Sequence, residues 1–95
     1  MNVFVDIDGT IADTPGIEYD KATPIAERIA KINAMYDRGD RITYWTARGT
    51  LSGKNFGELT WEQLQAWGCK YHALIFGKPA FDLFIDDKVM NAGDL

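Results

Sequence analysis

Asn2-Val3-Phe4-Val5-Asp6-Ile7-Asp8-Gly9-Thr10-Ile11 is the stretch that decides how this chain folds. Its first part, Asn2 to Asp6, is apolar and rich in β-branched and aromatic residues, and Gly9 follows soon after. That is the pattern of a short strand buried on both faces. Two carboxylates, Asp6 and Asp8, stand where the strand should end. Beyond them, Thr14 to Thr23 carries Pro15, Gly16 and Asp20 without periodicity and reads as a loop. Thr23 then reads as a helix N-cap, with Pro24 at the first helical position and Glu27 as the capping-box partner. The helix that begins there places Ile25, Ile29, Ile32 and Tyr36 on one apolar stripe, and Gly39 supplies its stop.

The same reading continues to the far end of the chain. Arg41 to Thr46 has the composition of a second strand. Ala47 to Gly57 holds three glycines and no apolar period, so it reads as a loop. Glu58 to Trp67 spaces Trp61, Leu64 and Trp67 like a second helix ending at Gly68. These tryptophans, together with Trp45, are assigned to the core. Ala73 to Phe76 and Phe81 to Ile85 are third and fourth strands separated by Gly77-Lys78-Pro79. Strands alternating with helices imply right-handed parallel crossovers. The predicted fold class is therefore α/β, a three-layer Rossmann-like parallel sheet of strand order 3-2-1-4. Its switch point, between strands 1 and 4, is where ligands bind in such sheets.

Composition bounds the function. The 95 residues make one domain, 1–95, with 46% hydrophobic and 25% charged residues, a globular balance. Asp6 interrupts the first apolar stretch, so no signal peptide is expected there, and no apolar run nears the roughly 20 residues that span a bilayer. The single cysteine, Cys69, makes no internal disulfide and fits a reducing cytoplasm as a small, partly buried hydrophobe. A net charge of −4 argues against sequence-independent binding of nucleic acid, which leaves a basic footprint. A phosphate-bearing partner must instead meet a local cluster of positive groups.

Each strand end that faces the crevice delivers polar residues: Asp6, Asp8, Gly9 and Thr10 after strand 1, Thr46, Ala47 and Arg48 after strand 2, Lys78 after strand 3, Asp86 and Asp87 after strand 4. On these residues the chain resembles the haloacid dehalogenase-type phosphatases. Val5-Asp6-Ile7-Asp8-Gly9-Thr10-Ile11 matches the first motif of that family, Thr46 the second, Lys78 the third and Asp86-Asp87 the fourth. The resemblance implies a cap-less HAD-like domain, because neither inter-motif segment is long enough for a cap. The site is then open unless another subunit covers it, which leaves room for large substrates or favours oligomers.

The resemblance also implies roles. Asp6 is the nucleophile that forms an aspartyl-phosphate, splitting one hard displacement into two easier ones. Asp8 is the general acid and base. Gly9 and Thr10 turn the chain so that backbone amides face the phosphoryl oxygens. Thr46 and Lys78 hold the transferred group, and Ala47 and Arg48 contact phosphate or substrate, the latter by its bidentate fork. Mg²⁺, a hard cation that prefers oxygen ligands, is held by Asp6, Asp8 (through its carbonyl), Asp86 and Asp87. Which of Asp86 and Asp87 ligates directly stays open.

Further blocks, Thr46-Ala47-Arg48-Gly49, Leu59-Thr60, Gln63-Leu64, Trp67-Gly68, Tyr71-His72, Phe76-Gly77-Lys78-Pro79 and Ile85-Asp86-Asp87-Lys88, look like the short phosphatases of bacterial capsule and surface polysaccharide synthesis. They point to a phosphorylated sugar or polyol as substrate. Two rival readings are a phosphatase of nucleotides or nucleic-acid ends and a non-enzymatic phospho-acceptor of the receiver type. Lys54 and His72 are read as a solvated loop lysine and a surface or core histidine.

Overall fold

The computed structural model describes residues 1–95. Five strands and two helices follow in the order β1 (Asn2–Val5), β2 (Ala12–Asp13), β3 (Thr23–Pro24), α1 (Ala26–Asp37), β4 (Arg41–Trp45), α2 (Gly57–Ala66) and β5 (Ala73–Ile75). β1, β4 and β5 form a parallel sheet in that spatial order, Val5 pairing with Tyr44 and Tyr44 with Leu74. β2 and β3 make a separate antiparallel pair that opens the first crossover.

Alternation along the strands decides where the core lies. Val5, Ile42 and Tyr44 point to one face and meet Ile29 and Ile32 of α1 and Leu64 of α2. Ile7, Ile11 and Ala12, just beyond β1, complete this cluster. Both crossovers advance the same way along the sheet, and right-handed connections then put both helices on one side. The opposite face carries Phe4 and Trp45, whose rings meet edge to face at 6.0 Å, and no helix covers it. The predicted three layers are thus two, and β1 is buried on one face only, with Phe4 60% exposed.

The first three strands have the predicted order, but Phe81–Ile85 does not pair as a fourth strand. The reason is chain length. A parallel neighbour for β1 would require a crossover of a dozen residues or more, and Phe76 to Ala80 is far too short to make one.

The start of α1 also differs from its local signal. Thr23 and Pro24 belong to β3, the Ile25 amide donates to the Ile11 carbonyl at 2.8 Å, and the helix starts at Ala26 with no side-chain cap. Pairing with Ala12 and Asp13 therefore overrides the capping box. On α2, Leu64 is fully buried, but Trp61 is 54% exposed and stands outside the core to which its spacing assigned it.

Candidate functional site

Asp6 stands one residue past the end of β1, half-buried, and Lys78 Nζ lies 3.5 Å from its Oδ1. Burial, the largest influence, raises the Asp6 pKa, while the Lys78 charge and the Ile7 amide oppose that and neighbouring Asp8 adds to it. Lys78 is held there by its backbone: its N–H donates to the Thr46 carbonyl, and its own carbonyl accepts from Thr50 Oγ1 at 2.8 Å. Its ammonium also lies over the Trp45 and Phe81 rings, 5.8 and 5.3 Å from their centroids. A carboxylate facing a cation at the carboxyl end of a parallel sheet is an electrostatic arrangement suited to an anionic ligand.

The turn after Asp6 closes on one carbonyl. Ile7 C=O accepts from the amides of Thr10, Ile11 and Ala12, and Gly9, at φ +83°, donates to the Ala12 carbonyl at 2.8 Å. A left-handed φ of this kind suits glycine, which has no Cβ to clash. The Gly9 and Thr10 amides are therefore spent inside the turn. Gly9 and Thr10, expected among the phosphate-binding residues, contribute no free backbone amide there.

Asp8 is gripped more tightly than sequence reading suggested. Arg48 donates to it through both arms of a fork, Nε to Oδ2 at 2.9 Å and Nη2 to Oδ1 at 2.8 Å, and Thr14 Oγ1 donates to Oδ1 at 2.5 Å. Arg48 Nη1 donates to Thr60 Oγ1 at 3.1 Å and to Gln63 Oε1 at 2.5 Å, and its guanidinium lies 4.9 Å from the centre of the Tyr19 ring. Gln63 is itself fixed by donating to the Tyr19 carbonyl. Arg48 is thus buried with four of its five N–H groups donating to Asp8, Thr60 and Gln63, and the bidentate fork expected to meet phosphate or substrate holds Asp8 in this structure. Thr14, Tyr19, Thr60 and Gln63 were not singled out as site residues. Gln63 and Thr60 lie three residues apart on one face of α2, a spacing that marks a shared target but does not name it.

Thr46 is 1% exposed, and its hydroxyl accepts the Arg48 amide at 3.1 Å. Its carbonyl and amide join Lys78 and Ile75, so Thr46 knits the ends of β4 and β5 beneath the site. Ala47 lies beside it, its carbonyl accepting the Thr50 amide. A cavity of about 390 Å³ opens alongside, walled by Phe56 and Phe76 and edged by Thr50, Lys54 and Asn55. Gly49 shapes that loop: at φ +82°, a Cβ there would fall 2.2 Å from the Lys54 carbonyl oxygen.

Asp86 and Asp87 are not brought to this cluster. Both are exposed, and Asp86 Oδ1 accepts the amide of Lys88. No three acidic, histidine or cysteine side chains gather at metal-ligand spacing. The side chains of Asp6, Asp86 and Asp87, expected to hold magnesium together with the Asp8 carbonyl, are thus not gathered into a metal-binding group by this arrangement.

These features define an α/β protein with an acidic and basic cluster at the carboxyl end of a one-sided parallel sheet. A crystal structure of a structural-genomics target from Vibrio cholerae is similar to it, with a TM-score of 0.89 and 22% identity over 98% of this chain and 85% of that one. That likeness shows a shared fold. No family model matches the chain, and no curated protein matches it.

Proposed function

We propose that this chain is a phosphomonoester hydrolase that works through an aspartyl-phosphate on Asp6. One observation carries the reading: a half-buried, solvent-reachable carboxylate faces a lysine ammonium at 3.5 Å, with a second carboxylate beside it, at the ligand-binding end of the sheet. The resemblance of Asp6-Ile7-Asp8-Gly9-Thr10 and Lys78 to haloacid dehalogenase motifs supports the same reading.

The chemistry follows from these groups. Lys78 offsets the charge of an incoming phosphate, which a bare carboxylate would repel. An Asp6 oxygen then attacks phosphorus as the bond to the alcohol oxygen breaks, and water later hydrolyses the acyl phosphate. Asp8, aimed by Arg48, takes the proton of that water and supplies one to the next leaving oxygen. The Arg48 fork fixes the direction in which Asp8 exchanges its proton, and such orientation is worth several kcal/mol of barrier, of the ~7–11 that full positioning can supply. Magnesium belongs to the proposal through the resemblance, and none of these steps is routed through it.

The cavity beside Arg48 and Thr50 would take the leaving group. Its aromatic walls and polar rim suit the mixed apolar and hydroxylated surface of a sugar or polyol, and its volume is within the range of small-molecule sites. The resemblance of the further sequence blocks to the short phosphatases of capsule and surface polysaccharide synthesis supports the same substrate class, and with it a cytoplasmic enzyme of that synthesis. A panel of sugar phosphates, polyol phosphates and 3′-phosphorylated oligonucleotides, read by phosphate release, tests this. Preference for sugar or polyol phosphates is expected. Preference for the oligonucleotide would move the substrate to nucleic-acid ends, and a stable phosphoprotein without release would make the chain a phospho-acceptor.

A further inference from the structure

The run after Lys78 is unusual for a chain this small. Every residue from Pro79 to Asn91 is exposed, although Phe81, Leu83, Phe84, Ile85, Val89 and Met90 are apolar, Leu83 at 75% and Ile85 at 87% exposure. Single exposed apolar residues are ordinary, but a contiguous run of them marks an interface. β1, meanwhile, has β4 as its only sheet neighbour, so its other edge is unpaired. Neither lysine, proline nor a bulge guards Asn2–Val5, and Phe4 adds an exposed ring on the uncovered face.

Surface area measures the deficit. The chain exposes 6187 Å². A folded monomer of its mass, 10.7 kDa, should expose about 5500 Å². The excess of about 700 Å² is close to the ~800 Å² that each partner contributes to a standard protein–protein interface.

We propose that this chain forms a symmetric dimer with a second copy of itself, the Phe81–Met90 run of each copy covering the open β1 edge and Phe4 face of the other. Within one chain the five-residue connection from Phe76 to Ala80 prevents the run from entering the sheet as a parallel strand. A second copy is free of that restriction. The dimer is isologous, since each copy carries both the run and the edge, and it closes without leaving an edge for further growth. It does not depend on the hydrolase reading.

Light scattering coupled to size exclusion at micromolar protein tests it, with circular dichroism as the check on folding. Twice the chain mass is expected for the parent, and a folded monomer for the double variant Leu83→Glu, Ile85→Glu, because both side chains are exposed within one copy. A parent that is monomeric throughout, or a double variant that remains dimeric, overturns the proposal. Should the double variant fail to fold, an equimolar mixture of Phe4→Cys and Leu83→Cys, each with Cys69→Ser, is treated with a short bifunctional thiol reagent. Cross-linked pairs containing one of each chain are expected, and their absence refutes the interface.

Discussion

Replacing Arg48 by methionine keeps an unbranched side chain in a buried position but removes the guanidinium that links Asp8 to α2. The change deletes two hydrogen bonds to Asp8 and one each to Thr60 and Gln63. Breaking a buried pair by removing one partner costs roughly 3–5 kcal/mol, because the remaining charge loses its compensation. Asp8 keeps the Thr14 hydroxyl and 24% of its side-chain surface in solvent, so the cost belongs at the lower end, about 3 kcal/mol. For a domain of this size that is a fall in Tm of about 12 to 24 °C. Urea unfolding followed by tryptophan fluorescence reads it as a shift of about 2 M in midpoint at unchanged slope, taking a slope of about 1.5 kcal/mol/M. Asp8→Asn in both backgrounds completes a double-mutant cycle, and a coupling energy of about 1 to 3 kcal/mol is expected for groups in contact. A loss below about 1 kcal/mol, the range of a solvent-exposed ion pair, would refute the view that this clamp holds the site together.

Asp8→Asn keeps the side chain's shape but sets an amide donor against one arm of the Arg48 fork, so it should lower stability as well as slow turnover of the folded protein by about 10²- to 10⁴-fold through loss of proton exchange; steady-state rates on p-nitrophenyl phosphate, taken at a temperature where circular dichroism shows the variant folded, measure it, and an unchanged rate would contradict the role. Chelation with EDTA should silence hydrolysis and Mg²⁺ restore it, whereas activity indifferent to both would remove magnesium from the proposal. Burial pushes the Cys69 thiol up to about 11 from 9.0, with the Tyr44 hydroxyl acting in the other direction. Its alkylation by iodoacetamide should therefore keep rising beyond pH 9, and a plateau near pH 9 would count against this. Because the folded value lies above the unfolded one, the stability linked to this thiol is complete below about pH 9 and is lost as pH rises through about 11, a trend that urea titration in alkaline buffers can follow.

Much of this molecule is legible in short-range pattern. The stripe through Ile29 and Ile32, the strand composition of Asn2–Val5 and Arg41–Trp45, and the glycines that stop both helices lead to the observed elements within a residue or two. The meeting of Asp6, Asp8, Thr46 and Lys78 follows from the same topology, since parallel strands deliver their carboxyl ends to one side. What stayed hidden depends on long-range competition. Thr23, Pro24 and Glu27 carry a complete capping signal, yet the Ile11 carbonyl and Asp13 claim that backbone for a strand pair.

Phe81–Ile85 has strand composition, but whether it can join the sheet is decided by the connection before it and not by its own residues. Arg48 is the third case. An arginine after a strand resembles an anion ligand until its neighbours are known, and here Asp8, Thr60 and Gln63 take up its donors from sites as far as 40 residues away in sequence.

The account rests on Asp6 as the atom donor to phosphorus, and acid-quenched protein mixed with a reactive phosphomonoester and read by peptide mass spectrometry tests that most directly. A mass gain of one phosphoryl group is predicted on the peptide containing Asp6, labile to hydroxylamine and absent from Asp6→Asn. Turnover by Asp6→Asn at the parent rate, or a phosphoryl group found on another residue, would contradict it.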